Sequence, residues 1–231
     1  MPAAPLVSSS LPRSNIRCAA TAPRVRKVWS VVFSPHRWGD RRRMKVGLLG
    51  GSFNPAHGGH MHISSDAKRR LGLDQVWWLV SPQNPLKSTT GMAILSDRVA
   101  GAEAAAMAPW IRVTDLEQDL GTDRTWKTLQ MLRIRFPKVQ FVWLMGADNL
   151  AQVPKWSRWS KIFQTVHVAV FDRSPYSHKA LSGKASSRFS SRRLRASRPI
   201  ALWQKKKPMW VYVAQRRHGA SSTAIRSGCD D

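Results

Sequence analysis

The sequence has few cysteines, few acidic residues and no long apolar run. Its two cysteines, Cys18 and Cys229, lie near opposite ends of the chain and show no metal-ligand or disulfide spacing. This usage indicates a reducing, cytoplasmic compartment. No run of about 18 apolar residues occurs, so we expect no membrane span. Since 42% of the 231 residues are hydrophobic, the chain can bury a large core and is not disordered as a whole.

The scarcity of acidic residues leaves a large positive charge. The chain has 13 Asp and Glu against 38 Lys and Arg, a formal net charge of +25, which is typical of nucleic-acid-binding proteins. The excess lies in two flanks, because residues 1–43 carry +8 and residues 173–231 carry +12, whereas residues 44–172 carry only +5. Basic flanks attract phosphates of any kind, so we predict no specific nucleic-acid partner.

Residues 1–43 show no sustained hydrophobic periodicity and contain scattered Pro, Ser and Arg. Three interpretations fit them: a translation start assigned upstream of Met44, a disordered basic tail, or an organelle-targeting peptide, which is also Arg-rich and acid-poor. All three place the start of the folded domain at Met44. We therefore predict a disordered basic extension over residues 1–43 and one domain over residues 44–231.

From Met44 onward, short apolar segments alternate with amphipathic ones. Strands are predicted at 45–49, 75–80, 111–114, 139–145, 166–171 and 209–213. Helices are predicted at 60–71, from a Ser96 cap to about 107, at 125–135 and at 156–163, and a basic loop or irregular helix is predicted over 174–208. This alternation predicts a Rossmann-like α/β fold, an open parallel sheet with helices on both faces.

The most informative segment is GGSFNPAHGGH, residues 50–60, which follows the first predicted strand and opens the first predicted helix. Ligands of open α/β sheets bind at this edge. Gly50 and Gly51 let a phosphate approach the backbone, and the helix N-terminus offers N–H groups. Because His57 and His60 are three residues apart, both imidazoles can donate to phosphate oxygens that gain charge. We predict that these two histidines are catalytic.

The alternative for these histidines is an ordinary surface location near a helix start. A pair that flanks glycines directly after a strand and a Gly-Gly turn favours a site. The segment has no Gly-Lys-Ser/Thr, so it is not a Walker loop, and it is not GxGxxG either. His62 is two residues from His60, faces elsewhere on the helix and is predicted to be structural.

Residues 50–60 resemble the GG(T/S)F(D/N)PxHxGH signature of HxGH nucleotidyltransferases, and residues 221–226 (SSTAIR) resemble their second signature, (I/S)SSTxIR. The resemblance implies a nucleotidyltransferase-type domain with ATP over the first helix terminus. It implies ATP-binding roles for residues of both signatures: Gly50, Gly51, Ser52, Phe53, His57, His60, Ser222, Thr223 and Arg226. Helix capping by Ser222 and Thr223 and a surface location for Arg226 remain alternatives.

Further segments resemble the nicotinate-nucleotide adenylyltransferases within that class, notably residues 81–87 and GADNL at 146–150, followed by Lys-Trp at 155–156. The resemblance implies four substrate-binding residues: Lys87, Thr125, Asp148 and Trp156. The pyridine ring would stack on Trp156, and main-chain N–H groups near Thr125 and Trp156 would receive its carboxylate. Core packing of Trp156 and helix capping by Asp148 remain alternatives.

One segment departs from the family pattern. The usual Ser-Tyr-Thr is Asp123-Arg124-Thr125 here, so only Thr125 matches. Arg124 either adds a cation beside the substrate carboxylate or points outward.

The resemblance implies transfer of AMP from ATP to nicotinate mononucleotide, which gives nicotinate adenine dinucleotide and pyrophosphate in NAD biosynthesis. Positioning and charge stabilisation suffice for such a transfer, so no covalent nucleophile is expected. Mg²⁺ held chiefly by phosphate oxygens is expected, with no protein metal site.

Three other interpretations fit the sequence less well. Another HxGH enzyme, such as a pantetheine-phosphate adenylyltransferase or a cytidylyltransferase, fits residues 146–156 less well. A basic RNA-binding protein would need more aromatic residues on the basic segment than Tyr176, Phe189 and Trp203. A catalytically inactive homologue would not be expected to keep both histidines and the distal arginine.

Overall fold

The computed structural model describes residues 42–82, 91–172, 177–195 and 198–214. The predictions for residues 1–41, for Lys87 and for Ser222, Thr223 and Arg226 lie outside these residues, as does the predicted cap at residues 221–223.

The described part of the chain forms six strands, eight α-helices and four 3₁₀ helices. In chain order the strands and α-helices are β1 (Met44–Gly51), α1 (Gly58–Leu71), β2 (Gln75–Val80), α2 (Leu95–Ala105), β3 (Ile111–Thr114), α3 (Leu116–Asp119), α4 (Thr125–Arg135), β4 (Val139–Gly146), α5 (Ala147–Gln152), α6 (Ile162–Thr165), β5 (His167–Phe171), α7 (Ser177–Leu181), α8 (Lys184–Arg188) and β6 (Trp210–Val213). The 3₁₀ helices are Val153–Lys155, Trp159–Lys161, Ser190–Arg192 and Pro199–Gln204.

All six strands are parallel and stand in the order β3-β2-β1-β4-β5-β6. The chain therefore starts in the middle of the sheet, builds one half, and crosses back to build the other. This order brings the carboxyl ends of β1, β2 and β4 together at one edge of the sheet, where ligands of such folds bind. The predicted Rossmann-like parallel sheet is confirmed.

Helices cover both faces of the sheet, as predicted. On one face, Trp78 and Val142 pack with residues of α1, α2 and the 3₁₀ helix Pro199–Gln204. On the other face, Trp77 and Trp143 pack with residues of α3 to α8. Adjacent strand residues such as Trp77 and Trp78 point to opposite faces, so a strand that is covered on both sides is apolar throughout.

The predicted Ser96 cap is wrong. Helix α2 begins after Ile94, which makes no side-chain cap bond, and the Ser96 hydroxyl instead contacts the Asp97 carboxylate at 3.4 Å within the first turn. The start of α2 is set by Arg98, whose Nε donates to the Ala93 carbonyl at 2.9 Å just before the helix. A contact of this kind leaves no trace in hydrophobic periodicity.

The predicted helix over residues 156–163 is wrong in its first half. Trp156 is extended, with φ −79° and ψ 145°, and Arg158 has the left-handed φ of 45°. Only a 3₁₀ turn and then α6 follow. The Arg158 guanidinium lies 4.8 Å from the ring centroid of Trp126, a cation–π contact with the first turn of α4.

The predicted basic loop over residues 174–208 forms short helices in the residues that the structure describes. Ala180, Ala185 and Phe189 are buried on one face of the sheet, whereas Leu202 is buried on the other. The Trp203 indole donates to the Leu71 carbonyl at 2.6 Å. These few apolar anchors hold the segment to both faces while its lysines and arginines remain largely exposed.

Candidate active site

Gly50 and Gly51 are the last two residues of β1, two residues beyond the predicted strand end. A Cβ at Gly50 would collide with Cη2 of Trp143, so packing by itself requires glycine there. A Cβ at Gly51 would lie 3.5 Å from the Phe53 ring, which is an ordinary contact. Packing therefore does not require glycine at position 51, and close approach of a ligand stays a prediction there.

Phe53 is the buried residue of the loop that follows β1. Its ring is 1% exposed and stacks on Trp78 with the ring centroids 5.2 Å apart, and the His60 ring lies 4.6 Å away. Phe53 also has a left-handed φ of 47°. This conformation costs a non-glycine residue on the order of 1 kcal/mol or more. Burial of the phenyl ring stabilises the fold by about 2 kcal/mol, which offsets that cost.

His57 and His60 cap helix α1 with their own side chains. His57 is the N-cap, and its Nδ1 accepts the Gly59 N–H at 3.1 Å. His60 is the third helical residue, and its Nδ1 accepts the His57 N–H at 3.2 Å. The two rings are 4.1 Å apart between centroids. This is the reciprocal pattern of a capping box, built here from two imidazoles.

The capping bonds determine what the histidines can do chemically. A neutral imidazole whose Nδ1 accepts a main-chain N–H carries its proton on Nε2. Both rings are thereby held in the tautomer whose Nε2–H can donate a hydrogen bond to a ligand. The predicted pair is brought together at the N-terminus of α1, where main-chain N–H groups and the helix dipole favour anions such as phosphate.

Arg98 holds three loops together beside the histidines. It is 3% exposed, and its Nη1 donates to the carbonyls of Ser52 at 2.8 Å and Ser81 at 2.7 Å. Its Nη2 donates to the Pro82 carbonyl at 2.9 Å, and its Nε to Ala93. Burial lowers the pKa of the Arg98 guanidinium, which nevertheless stays charged in proteins.

Asn54 makes a second connection between the same loops. Its Nδ2 donates to the Gly91 carbonyl at 3.1 Å, and its Oδ1 accepts the Ala93 N–H at 3.2 Å. The loop after β1 is therefore tied to the segment before α2 from two sides.

Glu117 is a buried carboxyl group that links β2 to helix α4. It accepts from the Thr128 hydroxyl at 2.8 Å and from the Ser81 side chain. Burial raises the pKa of the Glu117 carboxyl and the charge of Asp123 raises it further, whereas the hydrogen bonds from Thr128 and Ser81 lower it. The Ser81 N–H in turn donates to the Gly51 carbonyl at 2.9 Å. Ser81 thus connects β1, β2 and the α3–α4 region.

The predicted acceptor-side residues also lie at this edge, each on a different element. Thr125 is the first residue of α4, so its N–H has no carbonyl within the helix to bind. Asp148 is the second residue of α5, directly after β4, and is half-buried. Gly146 is the N-cap of α5, so N-capping by Asp148 is wrong, although a carboxylate in the first turn still complements the helix dipole.

Arg124 points to solvent. Its side chain is 47% exposed, and its Nε pairs with the neighbouring Asp123 carboxylate at 3.0 Å. Of the two alternatives for the departure from the family pattern, the described geometry favours the outward one.

Trp156 is half-buried, and its side chain packs against the core cluster on one face of the sheet. Its N–H donates to the Val153 carbonyl at 2.9 Å. That N–H is therefore already used within the 3₁₀ turn, and the role of main-chain N–H groups near Thr125 and Trp156 toward the substrate carboxylate stays a prediction. Core packing accounts for the buried part of Trp156, and stacking on its exposed part stays a prediction.

Sequence reasoning missed Arg98 and Glu117. Neither belongs to a recognisable motif, and a charged residue within a predicted amphipathic helix is ordinarily expected to face solvent. Only the position of Ser81 at a strand end, next to the predicted substrate segment, could have drawn attention to this network.

Among the described residues, no group of three or more His, Cys, Asp or Glu side chains could hold a metal ion. In the same part of the chain, no helix has the length and apolarity needed to cross a membrane.

Comparison with known proteins identifies the family of the chain. The cytidylyltransferase-like family matches residues 48–228. A probable nicotinate-nucleotide adenylyltransferase of Parvibaculum lavamentivorans is 49% identical over 183 residues, which cover 79% of this chain and 91% of that protein. A protein of the same description from Rhizobium johnstonii is 45% identical over 194 residues, or 84% of this chain and 96% of that protein.

Solved structures show the same fold. The nicotinic acid mononucleotide adenylyltransferase of Plasmodium falciparum, complexed with NaAD, superimposes with a TM-score of 0.59 at 15% identity, over 80% of this chain and 83% of that one. A likeness at this identity concerns the fold alone. The family match over most of the chain and the identity to relatives over about four fifths of it establish that the chain belongs to the nicotinate-nucleotide adenylyltransferases, within the cytidylyltransferase-like nucleotidyltransferases.

Proposed function

We propose that this protein transfers AMP from ATP to nicotinate mononucleotide, and so forms nicotinate adenine dinucleotide and pyrophosphate in NAD biosynthesis. The observation that carries the proposal is the pair of imidazoles, His57 and His60, each held by a main-chain N–H in the tautomer that can donate from Nε2. The names of the relatives supply the acceptor.

In the proposed reaction, a 5′-phosphate oxygen of the mononucleotide attacks the α-phosphorus of ATP. The bond between the α-phosphorus and the oxygen that bridges to the β-phosphorus breaks, and pyrophosphate leaves with that bond's electron pair. The two Nε2–H groups would stabilise the negative charge that builds up on the phosphate oxygens. The remaining task of the protein is to hold both nucleotides in line.

The other site residues keep their predicted roles as proposals. Gly51 and the α1 terminus would face the ATP phosphates, as would Ser222, Thr223 and Arg226 of the second signature. On the acceptor side, the Thr125 N–H would receive the nicotinate carboxylate, and the exposed part of Trp156 would stack on the pyridine ring. Mg²⁺ would enter with ATP, held by phosphate oxygens, and the cytoplasm is the compartment that the two cysteines suggest.

A direct assay tests the proposal. Purified full-length protein is mixed with ATP, Mg²⁺ and one acceptor at a time: nicotinate mononucleotide, nicotinamide mononucleotide or 4′-phosphopantetheine. Pyrophosphate is measured by a coupled reaction, and the dinucleotide product by mass spectrometry. We expect turnover to be fastest with nicotinate mononucleotide. Pyrophosphate release with 4′-phosphopantetheine and none with nicotinate mononucleotide would contradict the proposal.

A further inference from the structure

Arg98 is placed to control the distance between the two sides of the candidate site. The four side-chain hydrogen bonds that Arg98 makes to described residues all go to main-chain carbonyls, and these lie on three separate segments of the chain. Ser52 belongs to the loop that carries the histidines. Ser81 and Pro82 lie where the chain leaves β2, and Ala93 lies where it enters α2.

The chemistry of this cluster requires a guanidinium group. Its N–H donors are fixed in one plane, so they can reach acceptors in several set directions at once, whereas a lysine ammonium is a single point with three donors. The side chain is 3% exposed, so water cannot easily replace a lost bond. A main-chain carbonyl left without a donor in such a place is destabilising, because the loss of its hydration is no longer offset by a hydrogen bond.

The loops that Arg98 joins are also connected to the acceptor side. Ser81 donates its N–H to Gly51, and its side chain hydrogen-bonds Glu117. Glu117 accepts in turn from Thr128, one turn into the helix that Thr125 begins. A displacement of Ser81 would therefore alter the spacing between the histidine loop and α4.

We propose that Arg98 is a positioning residue for adenylyl transfer, which clamps the histidine loop to the exit of β2 and so fixes how the two nucleotides face each other. The inference rests on the proposed function. Arg98 acts through the loops and touches neither nucleotide. An in-line displacement is sensitive to such placement, because an error of about 1 Å can lower the rate by about 10²-fold.

Arg98→Lys tests the clamp because it keeps the charge and removes the planar fork. The matched control is Arg133→Lys, since Arg133 is exposed and makes one hydrogen bond of 3.2 Å to the Thr165 carbonyl. Both variants are assayed as full chains, at a temperature at which near-ultraviolet circular dichroism shows them folded. We expect Arg98→Lys to lower kcat by about 10²-fold while the KM for ATP changes by less than about fivefold, and Arg133→Lys to match the wild type.

Hydrogen exchange without nucleotides tests the clamp independently of the reaction. Amides of residues 50–54, 79–82 and 91–95 should exchange faster in Arg98→Lys, whereas those of α4 and β5 should exchange as in the wild type. An inactive wild type would contradict the proposed function and leave this readout intact. A folded Arg98→Lys with kcat within twofold of the wild type would contradict the positioning role, and so would unchanged exchange in the three segments. A variant that fails to fold would contradict it too, because Arg98 would then be a residue of global stability.

Discussion

The two sides of the candidate site are built in different ways. On the ATP side, the bonds that orient His57 and His60 join residues two or three positions apart. On the acceptor side, Thr125, Asp148 and Trp156 come from separate elements. Their relative placement depends on strand order and on core packing.

This difference has consequences for mutation. A locally built loop keeps its shape as long as each cap acceptor remains, so its chemistry can be altered separately from its structure. An assembled surface depends on many distant contacts, so a large substitution there changes binding and stability together. The predictions below test this contrast, from the largest expected effect to the smallest.

The largest effect is expected from replacing either histidine while keeping its cap bond. Asn is a favoured N-cap and Gln suits the third position of a capping box, so His57→Asn and His60→Gln should leave α1 intact. Each should lower kcat by about 10²-fold or more, because Nε2–H donors that act in the transition state are lost. Affinity for ATP should change less. Steady-state kinetics and equilibrium ATP binding measure the two quantities.

Two controls separate capping from chemistry in these variants. His57→Ala should lose activity and also about 1 kcal/mol of stability through the missing cap, which thermal denaturation measures. His62→Asn should retain kcat, because His62 lies outside the pair. Near-normal turnover in His57→Asn or His60→Gln would show that the pair is only a cap.

A smaller effect is expected on the acceptor side from Trp156→Ala. Loss of stacking should raise the KM for both nicotinate and nicotinamide mononucleotide about tenfold. Selectivity should survive better, because the Thr125 N–H remains. Trp159→Ala is the matched control, since Trp159 is a half-buried tryptophan that packs against Phe163 and Phe189. Trp159→Ala should lower the melting temperature without changing the acceptor KM. If Trp156→Ala raises the acceptor KM no more than Trp159→Ala does, Trp156 does not bind the acceptor.

Arg124→Ala should have little effect on acceptor choice. The guanidinium is 47% exposed and pairs with Asp123, and exposed ion pairs contribute only about 0–1 kcal/mol. The kcat/KM ratio for nicotinate over nicotinamide mononucleotide should stay within about twofold of the wild type. A tenfold fall in that ratio would mean that Arg124 turns inward when substrate binds.

The smallest effect is expected from Glu117→Gln, which tests the link between the two sides. Because the folded-state pKa of Glu117 is raised, its contribution to stability is fully present below the ordinary glutamate pKa and is lost as pH rises through the folded-state value. Gln keeps an acceptor for Thr128 and never ionises. At neutral pH the variant should melt slightly higher than the wild type, by on the order of 1 °C.

Melting temperatures measured across the acidic to neutral range check this prediction. The difference between Glu117→Gln and the wild type should grow as pH rises, whereas the exposed control Glu103→Gln should show no such trend. A variant that becomes less stable at neutral pH would show that the Glu117 charge strengthens the Thr128 and Ser81 bonds by more than its burial costs.

Periodicity predicted the sheet well and the irregular segments badly. The strands over 75–80 and 111–114 and the helix over 125–135 agree with the structure to the residue. The strand over 75–80 was predictable because a strand covered on both faces appears as a nearly unbroken apolar run. The helix over 156–163 failed at Arg158, which has a left-handed φ of 45° and contacts Trp126, 32 positions earlier in the sequence. No local pattern records such a contact.

The sequence by itself determined the succession of strands and helices along the chain, the N-terminus of α1 and the pairing of His57 with His60. These features depend on residues within one or two helical turns of each other. Only the tertiary structure decided that Arg98 binds the loop that carries the histidines, because its bond to Ser52 spans 46 positions. That bond exists only once β1 and β2 lie side by side and the loops that follow them meet. Hydrogen bonds between distant carbonyls and a buried guanidinium are set by the order of strands in the sheet and carry no periodic signal.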